Sequence, residues 1–533
     1  MYCPGNGFFY MRRIPGLLIG KVNIGVLIVL GALLLGVGLS RVIYPFDVGH
    51  FEACIWTPAL LSAQGESPYA YATREPFVMA PYGYFYYLTI GAGLRLFGWQ
   101  FWFGRALTVL SAVLCVICVG AIARAITRDR LAMVVGVLWL LSTITMFHWI
   151  GAHRPDLPAL ALAFSALALC FAKDEARDRI GARTLLIAVL LTLAFFFKQT
   201  SLLPIAAVVA RYWQRRKIKQ AVAVACGVGL LGTIIAAVIE LGSGGGYFWQ
   251  HFTLMRSTPH SYADALHWVG SLLKSPSTWI ATGLGSLALC RGFDPAVFAS
   301  WLEFKKWLRS PECLIGGYSI VALAFAFVTS ARRGSYINYY LEASMVVAIA
   351  VAMACRRLTE DERHFRGRGN DLLTSSDANS GRINSRLLLV PRGIAERGLY
   401  PAISILLLVA GVFEFSRMAR AESYRWRSLP YYQEVVTTLS REVQANDLCV
   451  SVHPELVLAA GRKFHFGDWI QYQDGRSAEL RRIYDEAMLS KRYAAIITLS
   501  GKGTDLSGYN LAPMKQSAHE KYYPVFLYLR ETK

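Results

Sequence analysis

The sequence predicts a mainly α-helical, polytopic membrane protein with about 11 transmembrane helices and a small C-terminal α/β domain. Of its 533 residues, 55% are hydrophobic and only 17% are charged, against about 25% charged residues in a soluble globular domain. The apolar residues form many separate runs without strand-like alternation, and lipid permits only helices or closed barrels. From residue 423 onwards, predicted helices and strands alternate, which indicates an α/β domain.

The charge of the chain also fits a membrane protein. A net charge of +20 would indicate a nucleic-acid partner in a soluble protein. Here the basic residues lie mainly in short connections between apolar runs, as the positive-inside rule expects. We therefore predict that the chain interacts with a membrane and not with a nucleic acid.

The first predicted span is Leu17–Ser40, an apolar run long enough to cross a bilayer. It has no small-residue cleavage site, so we interpret it as a retained signal anchor. Arg12, Arg13 and Lys21 put its N-terminal end in the cytoplasm. The polar stretch Tyr44–Glu52 is therefore predicted on the outer face, at the start of an external loop.

That external loop is predicted to span residues 44–100 and to contain an interfacial helix. The stretch Tyr84–Trp99 is apolar but short, and it carries Arg95. If it crossed the membrane, the arginines of residues 124–130 would lie outside. We therefore expect it to lie in the membrane interface.

The remaining spans alternate in direction and complete a transmembrane domain over residues 1–420. They are predicted at Ala106–Ala123, Leu131–Trp149, Leu157–Ala172, Thr184–Phe197, Ser201–Tyr212, Ala221–Leu241, Pro276–Cys290, Cys313–Thr329, Tyr336–Cys355 and Leu399–Phe415. Residues 356–398, rich in basic residues, Ser, Asn and Gly, are predicted to form a flexible cytoplasmic connection.

The C-terminal domain is predicted over residues 423–533. We expect it outside the cytoplasm, because the N-terminus is predicted in the cytoplasm and an odd number of predicted spans, about 11, precedes the domain. The expected helices are Leu429–Gln444 and Arg476–Arg492. The expected strands are Leu448–Val452, Ala494–Leu499 and Pro524–Arg530.

Three ionisable residues follow the first span: Asp47, His50 and Glu52. Ionisable groups at membrane depth are functional candidates because they are expensive to bury there. A carboxylate in this loop can act as a general base on a hydroxyl. It can also help to hold a divalent cation, so the metal requirement stays open. The alternative is a solvated acid, or a cap for the following helix.

A second candidate is the external turn before the fourth span. It contains His148, His153, Arg154 and Asp156 within nine residues. Asp156 follows a proline and opens a helix, so an interaction with the helix N-terminus is the alternative to a role in the site.

Three cations are predicted on the outer face, against the charge rule: Lys198, Arg332 and Arg333. Such residues can extend along apolar surface to lipid headgroups. They can also bind an anion, and a lipid phosphate is the natural candidate because guanidinium and ammonium groups pair strongly with phosphate oxygens.

Several short motifs occur in a characteristic order after the acidic residue of the first loop. They are Gly-Glu-Ser-Pro-Tyr (65–69), Pro-Tyr-Gly-Tyr-Phe-Tyr-Tyr (81–87), Arg-Pro-Asp-Leu-Pro-Ala-Leu-Ala-Leu (154–162), Phe-Lys-Gln-Thr (197–200) and Gly-Ser-Tyr-Ile-Asn-Tyr-Tyr-Leu-Glu (334–342). Over about residues 15–415, this ordered set resembles the GT-C superfamily of membrane glycosyltransferases. It is close to the bacterial branch allied to protein mannosyltransferases and aminoarabinose transferases.

The resemblance implies an inverting sugar transfer from a polyprenyl-phosphate-linked donor to a lipid, glycan or protein acceptor, on the outer face of a bacterial inner membrane. Asp47 matches the catalytic acid of the first loop in that family, and Asp156 matches the acidic position of its second external loop. Many relatives have two adjacent acids in the first loop, whereas here Glu52 comes five residues later.

These inferences give one set of candidate residues. The catalytic candidates are Asp47, Glu52 and Asp156, and the substrate-binding candidates are His50, Tyr82, Arg154, Lys198, Arg332, Arg333, Asn338, Tyr339 and Tyr340. The C-terminal domain is expected to hold the acceptor. The alternatives are a transporter or lipid flippase that uses the same charged pocket, and a non-catalytic membrane scaffold.

Overall fold

The structure is a computed structural model of the chain. It describes residues 16–48, 52–72, 78–98, 100–172, 180–254, 260–292, 300–332, 335–374, 399–444, 447–451, 454–460, 463–466, 495–498, 509–511 and 526–530.

Helices account for most of these residues. In chain order they are α1 (Gly16–Ile43), α2 (Glu52–Gln64), α3 (Tyr84–Phe97), α4 (Trp102–Thr127), α5 (Arg130–Leu141), α6 (Ile144–Trp149), α7 (Asp156–Phe171), α8 (Ala182–Phe197), α9 (Leu203–Gln214), α10 (Ile218–Ser243), α11 (Gly246–Phe248), a π-helix (Trp249–Leu254), α12 (Tyr262–Leu273), α13 (Pro276–Gly292), α14 (Trp301–Leu308), α15 (Pro311–Ser330), a 3-10 turn (Ile337–Tyr339), α16 (Tyr340–Thr374), α17 (Tyr400–Glu442) and α18 (Pro454–Ala459).

The chain is a polytopic helical membrane protein, as predicted. In the described part of the chain, six helices are long and apolar enough to cross a membrane: α1, α4, α10, α15, α16 and α17. Three shorter apolar helices accompany them: α5, α7 and α8. Each predicted span coincides largely with one helix, except Leu131–Trp149, which covers two. The number of 11 spans stays a prediction.

Two predicted boundaries differ from the structure. The span expected at Leu131–Trp149 is divided into α5 and α6, because the Thr143 side chain accepts a hydrogen bond from the Met146 backbone N–H and starts a new helix. Helix α16 continues to Thr374, so the first part of the predicted flexible connection is helical.

The helix bundle is built around close backbone contacts. Helix α7 packs against α4 and α8, α5 against α16, and α1 against α17, around one large apolar core. A Cβ atom at Gly136 of α5 would lie 2.5 Å from the carbonyl oxygen of Ala348 on α16, so glycine permits this helix crossing. The packing brings the end of α1, the start of α7 and the end of α8 to one side of the bundle.

After the last predicted span the chain does not begin a new helix. Helix α17 is continuous over 43 residues, Tyr400–Glu442, so the helix predicted at Leu429–Gln444 is present, but as the C-terminal part of a longer helix. The residues after Phe415 are mostly good helix formers such as Ala, Arg, Glu and Leu, which explains why the helix continues even though Pro430 lies within it.

A five-stranded sheet follows α17. Its strands are β1 (Leu448–Ser451), β2 (Lys463–Phe466), β3 (Ala495–Thr498), β4 (Tyr509–Leu511) and β5 (Phe526–Arg530), in the order β2-β1-β3-β5-β4. Strand β1 is parallel to β2 and β3, whereas β5 is antiparallel to β3 and β4. Strands β1, β3 and β5 lie where strands are predicted, and the helix expected at Arg476–Arg492 lies outside the described residues. The separate C-terminal domain stays a prediction.

Candidate functional site

The centre of the site is a buried ion pair between two elements that the sequence already singled out. Asp156 is the first residue of α7, and Lys198 directly follows α8. Lys198 Nζ donates to Asp156 Oδ1, and Asn338 Nδ2 donates to the same oxygen at 2.6 Å. Asp156 is only 2% exposed and Lys198 only 7%. Three predicted site residues that are far apart in the sequence therefore meet at one carboxylate.

A cavity opens beside this ion pair. It is lined by Asp156, Leu160, Lys198, Thr200, Ser201, Leu203, Ala322, Phe325, Asn338, Tyr339 and Glu342. Lys198 Nζ lies 4.7 Å from the centroid of the Tyr339 ring, a favourable cation–π distance. Asp156 Oδ2 is buried and has no hydrogen-bond partner among the described residues. The cavity thus presents a fixed ammonium group, an aromatic face and a carboxylate oxygen that can still accept a hydrogen bond.

The electrostatics keep Lys198 charged. Burial alone would lower the pKa of Lys198, but the adjacent carboxylate of Asp156, together with Tyr339, raises that pKa overall. The ammonium group is therefore a permanent cation at neutral pH. An anionic ligand in the cavity would meet this charge away from bulk water, where charge-assisted hydrogen bonds are strong.

Arg154 and Tyr82 stand next to the ion pair. Arg154 Nη1 donates to the Tyr82 hydroxyl at 2.5 Å. The Tyr82 backbone is held in turn, because its N–H donates to the Tyr87 hydroxyl at 3.0 Å and its carbonyl accepts from the Tyr69 hydroxyl at 2.7 Å. Burial lowers the pKa of Arg154, but Tyr82 and the carboxylates of Asp156, Asp47 and Glu52 raise it overall.

Asp47 lies half-buried in the turn after α1. The negative charge of Asp47 raises the pKa of Arg154, and the negative charge of Asp156 does the same. Arg154 therefore interacts electrostatically with the first-loop acid and with the acid of the second external turn. The structure gives these two predicted catalytic residues a shared cationic neighbour.

Glu52 lies away from the cavity lining and is fully engaged by the protein. Its carboxylate accepts from Arg105 Nη2 at 2.5 Å and from Arg105 Nε at 3.3 Å. It also accepts from the backbone N–H groups of Val48 at 2.8 Å and His153 at 2.5 Å. Burial would raise the pKa of Glu52, but the Arg105 guanidinium lowers it to about 2. Through these contacts, Glu52 connects the turn after α1 to the turn before α7.

The other predicted substrate-binding residues are placed as follows. Tyr340 is buried in the helix core, with its hydroxyl 3.4 Å from Ser330 Oγ, and it does not line the cavity. Arg332 pairs through its backbone with His260 and is also absent from the cavity lining. The remaining two, His50 and Arg333, lie outside the described residues.

Sequence reasoning missed two buried ionisable residues that the structure brings into the site region. Glu342 lines the cavity, and its Oε1 accepts from the Tyr318 hydroxyl at 2.7 Å. Its signal was the three-residue spacing from Tyr339, which puts both on one helical face. Arg105 is completely buried in α4, and its signal was a cation within an apolar run. In the described part of the chain, no group of three or more His, Cys, Asp or Glu side chains is arranged to hold a metal ion.

Buried His153 gives the protein a predicted sensitivity to acid. Burial lowers the pKa of His153 from 6.5 to about 3, so the unfolded chain binds a proton between these values that the folded protein does not. Folding stability should therefore be full above about pH 6.5 and should fall as the pH drops from there towards 3. The depressed pKa of Glu52 adds a further loss below about pH 4.5.

The measurement is the thermal unfolding temperature of purified protein in detergent between pH 7.5 and pH 4.5, with His153→Gln beside the wild type. The variant should show a smaller decline than the wild type between about pH 6.5 and pH 5, because it lacks the contribution of His153. His267→Gln, at an exposed position of α12, is the matched control and should follow the wild type. Equal slopes for wild type and His153→Gln would contradict the prediction.

Comparisons with known proteins agree with this architecture. Residues 96–241 match a family model described as a domain of unknown function, DUF8201. No curated protein matches the chain. Two solved structures are similar over most of their length. One is ArnT from Cupriavidus metallidurans bound to undecaprenyl phosphate, with 14% identity, a TM-score of 0.59, and 95% of this chain and 98% of that chain covered.

The second is ArnT from Cupriavidus metallidurans in the apo state, with 15% identity and a TM-score of 0.58. This match covers 89% of this chain and 92% of that chain. The similarity establishes the fold, and it confirms the GT-C fold predicted from the ordered motifs.

Proposed function

We propose that this chain, which has the GT-C fold, is a glycosyltransferase of the outer face of a bacterial inner membrane. It would move a sugar from a polyprenyl-phosphate-linked donor to an acceptor hydroxyl. The observation that carries the proposal is the buried Lys198–Asp156–Asn338 cluster beside a cavity that Lys198, Asp156 and Asn338 help to line. The similarity to an ArnT structure bound to undecaprenyl phosphate supports the choice of donor.

In this proposal Lys198 receives the donor phosphate. The ammonium group is buried, stays charged and lines the cavity, and it can pair with a phosphate oxygen while it keeps Asp156 as a partner. Charge that develops on the departing phosphate is then stabilised by a cation already in place. The amide of Asn338 can add a neutral donor at the same position, and Arg154 a second cation.

Asp47 is the proposed general base. It accepts the proton of the acceptor hydroxyl, whose oxygen attacks the anomeric carbon of the sugar. The new glycosidic C–O bond forms as the bond from the anomeric carbon to the phosphate oxygen breaks, and the electron pair of that bond leaves with the lipid phosphate. Attack from the face opposite the phosphate inverts the anomeric centre. The charge of Asp47 acts on Arg154, which supports a position beside the phosphate site.

Asp156 is proposed to bind the sugar as well as to hold Lys198. Its Oδ2 atom is buried and lacks a hydrogen-bond partner among the described residues, so it can accept a hydrogen bond from a sugar hydroxyl. The rings of Tyr339 and Tyr82 supply apolar faces against which a sugar can pack. Glu52 is bound to Arg105 and to the backbone beside Asp47. We propose that it contributes by holding the loop that carries Asp47 in place.

The experiment is mass spectrometry of the products formed from a panel of labelled undecaprenyl-phosphate sugars, purified protein and a membrane extract. We expect one labelled sugar to appear in a new glycosidic bond. A transporter or flippase would instead move the labelled lipid across sealed vesicles without forming any glycoside. That outcome would replace the transferase assignment.

A further inference from the structure

We infer that Arg105 and Arg425 are positioning residues for Asp47, because their guanidinium groups hold the two sides of the short loop that carries it. We call residues 44–48 the Asp47 loop. Arg105 belongs to α4 of the transmembrane bundle, and Arg425 belongs to the part of α17 beyond the last predicted span. The inference rests on the proposed role of Asp47 as the general base.

All five N–H groups of Arg105 are used within this region. Nη1 donates to the carbonyl oxygens of Arg41, at 2.8 Å, and Tyr44. Nη2 donates to the carbonyl oxygen of Phe46 and to Glu52 Oε2, each at 2.5 Å, and Nε donates to Glu52 Oε1 at 3.3 Å. Arg105 is completely buried. One guanidinium therefore fixes the backbone from the end of α1 to the residue before Asp47.

The residue after Asp47 is held from two directions. The Val48 backbone N–H donates to Glu52 Oε2 at 2.8 Å, and the Val48 carbonyl oxygen accepts from Arg425 Nη2 at 2.6 Å. Asp47 thus has a restrained peptide group on each side. Neither of these two contacts uses the Asp47 carboxylate, so the restraint acts on the backbone.

Arg425 is itself fixed by a line of buried charges. It pairs with Glu422, and Glu422 Oε1 accepts from Arg41 Nε at 2.7 Å. Arg41 Nη1 then donates to the carbonyl oxygens of His148 and Ile150, at 2.7 and 2.8 Å. This line connects α17 to the turn that leads to Arg154. Its members also cannot shift independently, because an unpaired buried charge is costly.

Apolar contacts support the same arrangement. Tyr44 and Phe46, on either side of Pro45, are buried in a cluster with residues of α17 and the C-terminal sheet. The Tyr44 ring centroid lies 5.2 Å from that of Trp426, and the Phe46 centroid lies 5.6 Å from that of Tyr432. Residues after position 420 therefore pack against the Asp47 loop and support it. This role is additional to the acceptor binding expected of the C-terminal domain.

The expected consequence is a defect in turnover without a defect in donor binding. A displacement of about 1 Å in a reacting group lowers the rate by about 10²-fold. Arg425→Lys keeps the charge beside Glu422 but has a point-charge ammonium in place of the planar fork, so it should release the Val48 carbonyl. We expect kcat to fall by about 10²-fold, with the KM for the lipid donor unchanged.

Arg417→Lys is the matched control. Arg417 also lies on α17 and pairs with a glutamate three residues earlier, Glu414, at 3.2 Å, but it makes no contact with the Asp47 loop among the described hydrogen bonds. Its kcat and KM should equal those of the wild type. Arg105→Lys, which replaces five donors by three, should repeat the effect of Arg425→Lys from the other side of the loop.

Hydrogen–deuterium exchange of the full-length protein provides a readout that does not depend on catalysis. Peptides covering residues 44–48 should exchange faster in Arg425→Lys and Arg105→Lys, and at the wild-type rate in Arg417→Lys. Unchanged exchange in both loop variants would overturn the inference, and so would faster exchange with wild-type kcat. If the wild type makes no glycoside at all, the proposed function fails, and the exchange rates still decide whether the two arginines hold the loop.

Discussion

Replacing Asp47 by Asn is expected to lower the rate of sugar transfer by about 10²–10⁴-fold, because the amide cannot take the proton of the acceptor hydroxyl. The substitution keeps the shape of the side chain and leaves the backbone contacts of the Asp47 loop in place. The yield of folded protein and the binding of undecaprenyl phosphate should therefore stay close to those of the wild type. Initial rates with a lipid-linked sugar and direct lipid-binding measurements on one preparation test both statements.

The matched control for this prediction is Asp264→Asn. Asp264 is a partly buried aspartate in the first turn of α12 and does not line the cavity. It should transfer sugar at the wild-type rate. If Asp47→Asn retains wild-type transfer, the assignment of Asp47 as the base is wrong, and another group must accept the proton.

The second large effect is expected for Lys198→Met, which keeps the apolar stem but removes the ammonium group. Loss of a fixed charge that stabilises the leaving group lowers kcat by about 10²–10³-fold. It also leaves the buried carboxylate of Asp156 without its cation, and breaking a buried pair in this way costs about 3–5 kcal/mol. We therefore expect lower transfer, weaker binding of undecaprenyl phosphate and a lower thermal unfolding temperature.

A double variant separates these consequences. Lys198→Met combined with Asp156→Asn removes both charges of the buried pair, so most of the lost stability should return. Sugar transfer and phosphate binding should not return, because the cavity still lacks its cation. If the double variant regains transfer along with stability, the role of Lys198 is to hold the fold, and the phosphate must bind elsewhere.

Part of the candidate site could be proposed from the sequence. Lys198 was found because it is a cation predicted on the outer face, against the positive-inside rule. Asp156 was found because it lies in a short external turn with two histidines and an arginine. The structure pairs the two side chains with each other. Asn338 and Tyr339 were found through the ordered motifs. The distinction between Tyr339, which lines the cavity, and Tyr340, which is buried in the core, depends on the start of α16 at Tyr340. A motif alone does not give that helix phase.

The holding contacts around Asp47 could not be predicted. Arg105 and Glu52 are 53 positions apart, and Arg425 and Val48 are 377 positions apart. Pairings at such distances are set by tertiary packing, which a hydrophobicity pattern does not encode. The continuity of α17 was missed for a related reason. A change from apolar to charged residues marks the end of a membrane span but not the end of a helix, because both kinds of residue form helices well.

The most direct test of the transferase proposal is the balance between glycoside formation and release of lipid phosphate. Purified protein in sealed liposomes would receive the undecaprenyl-phosphate sugar that gave a product, together with its acceptor. We predict equal amounts of new glycosidic bond and free undecaprenyl phosphate at every time point, and formation of both about 10²–10⁴-fold more slowly with Asp47→Asn. Movement of the labelled lipid across the liposome membrane without release of lipid phosphate would contradict the proposed function.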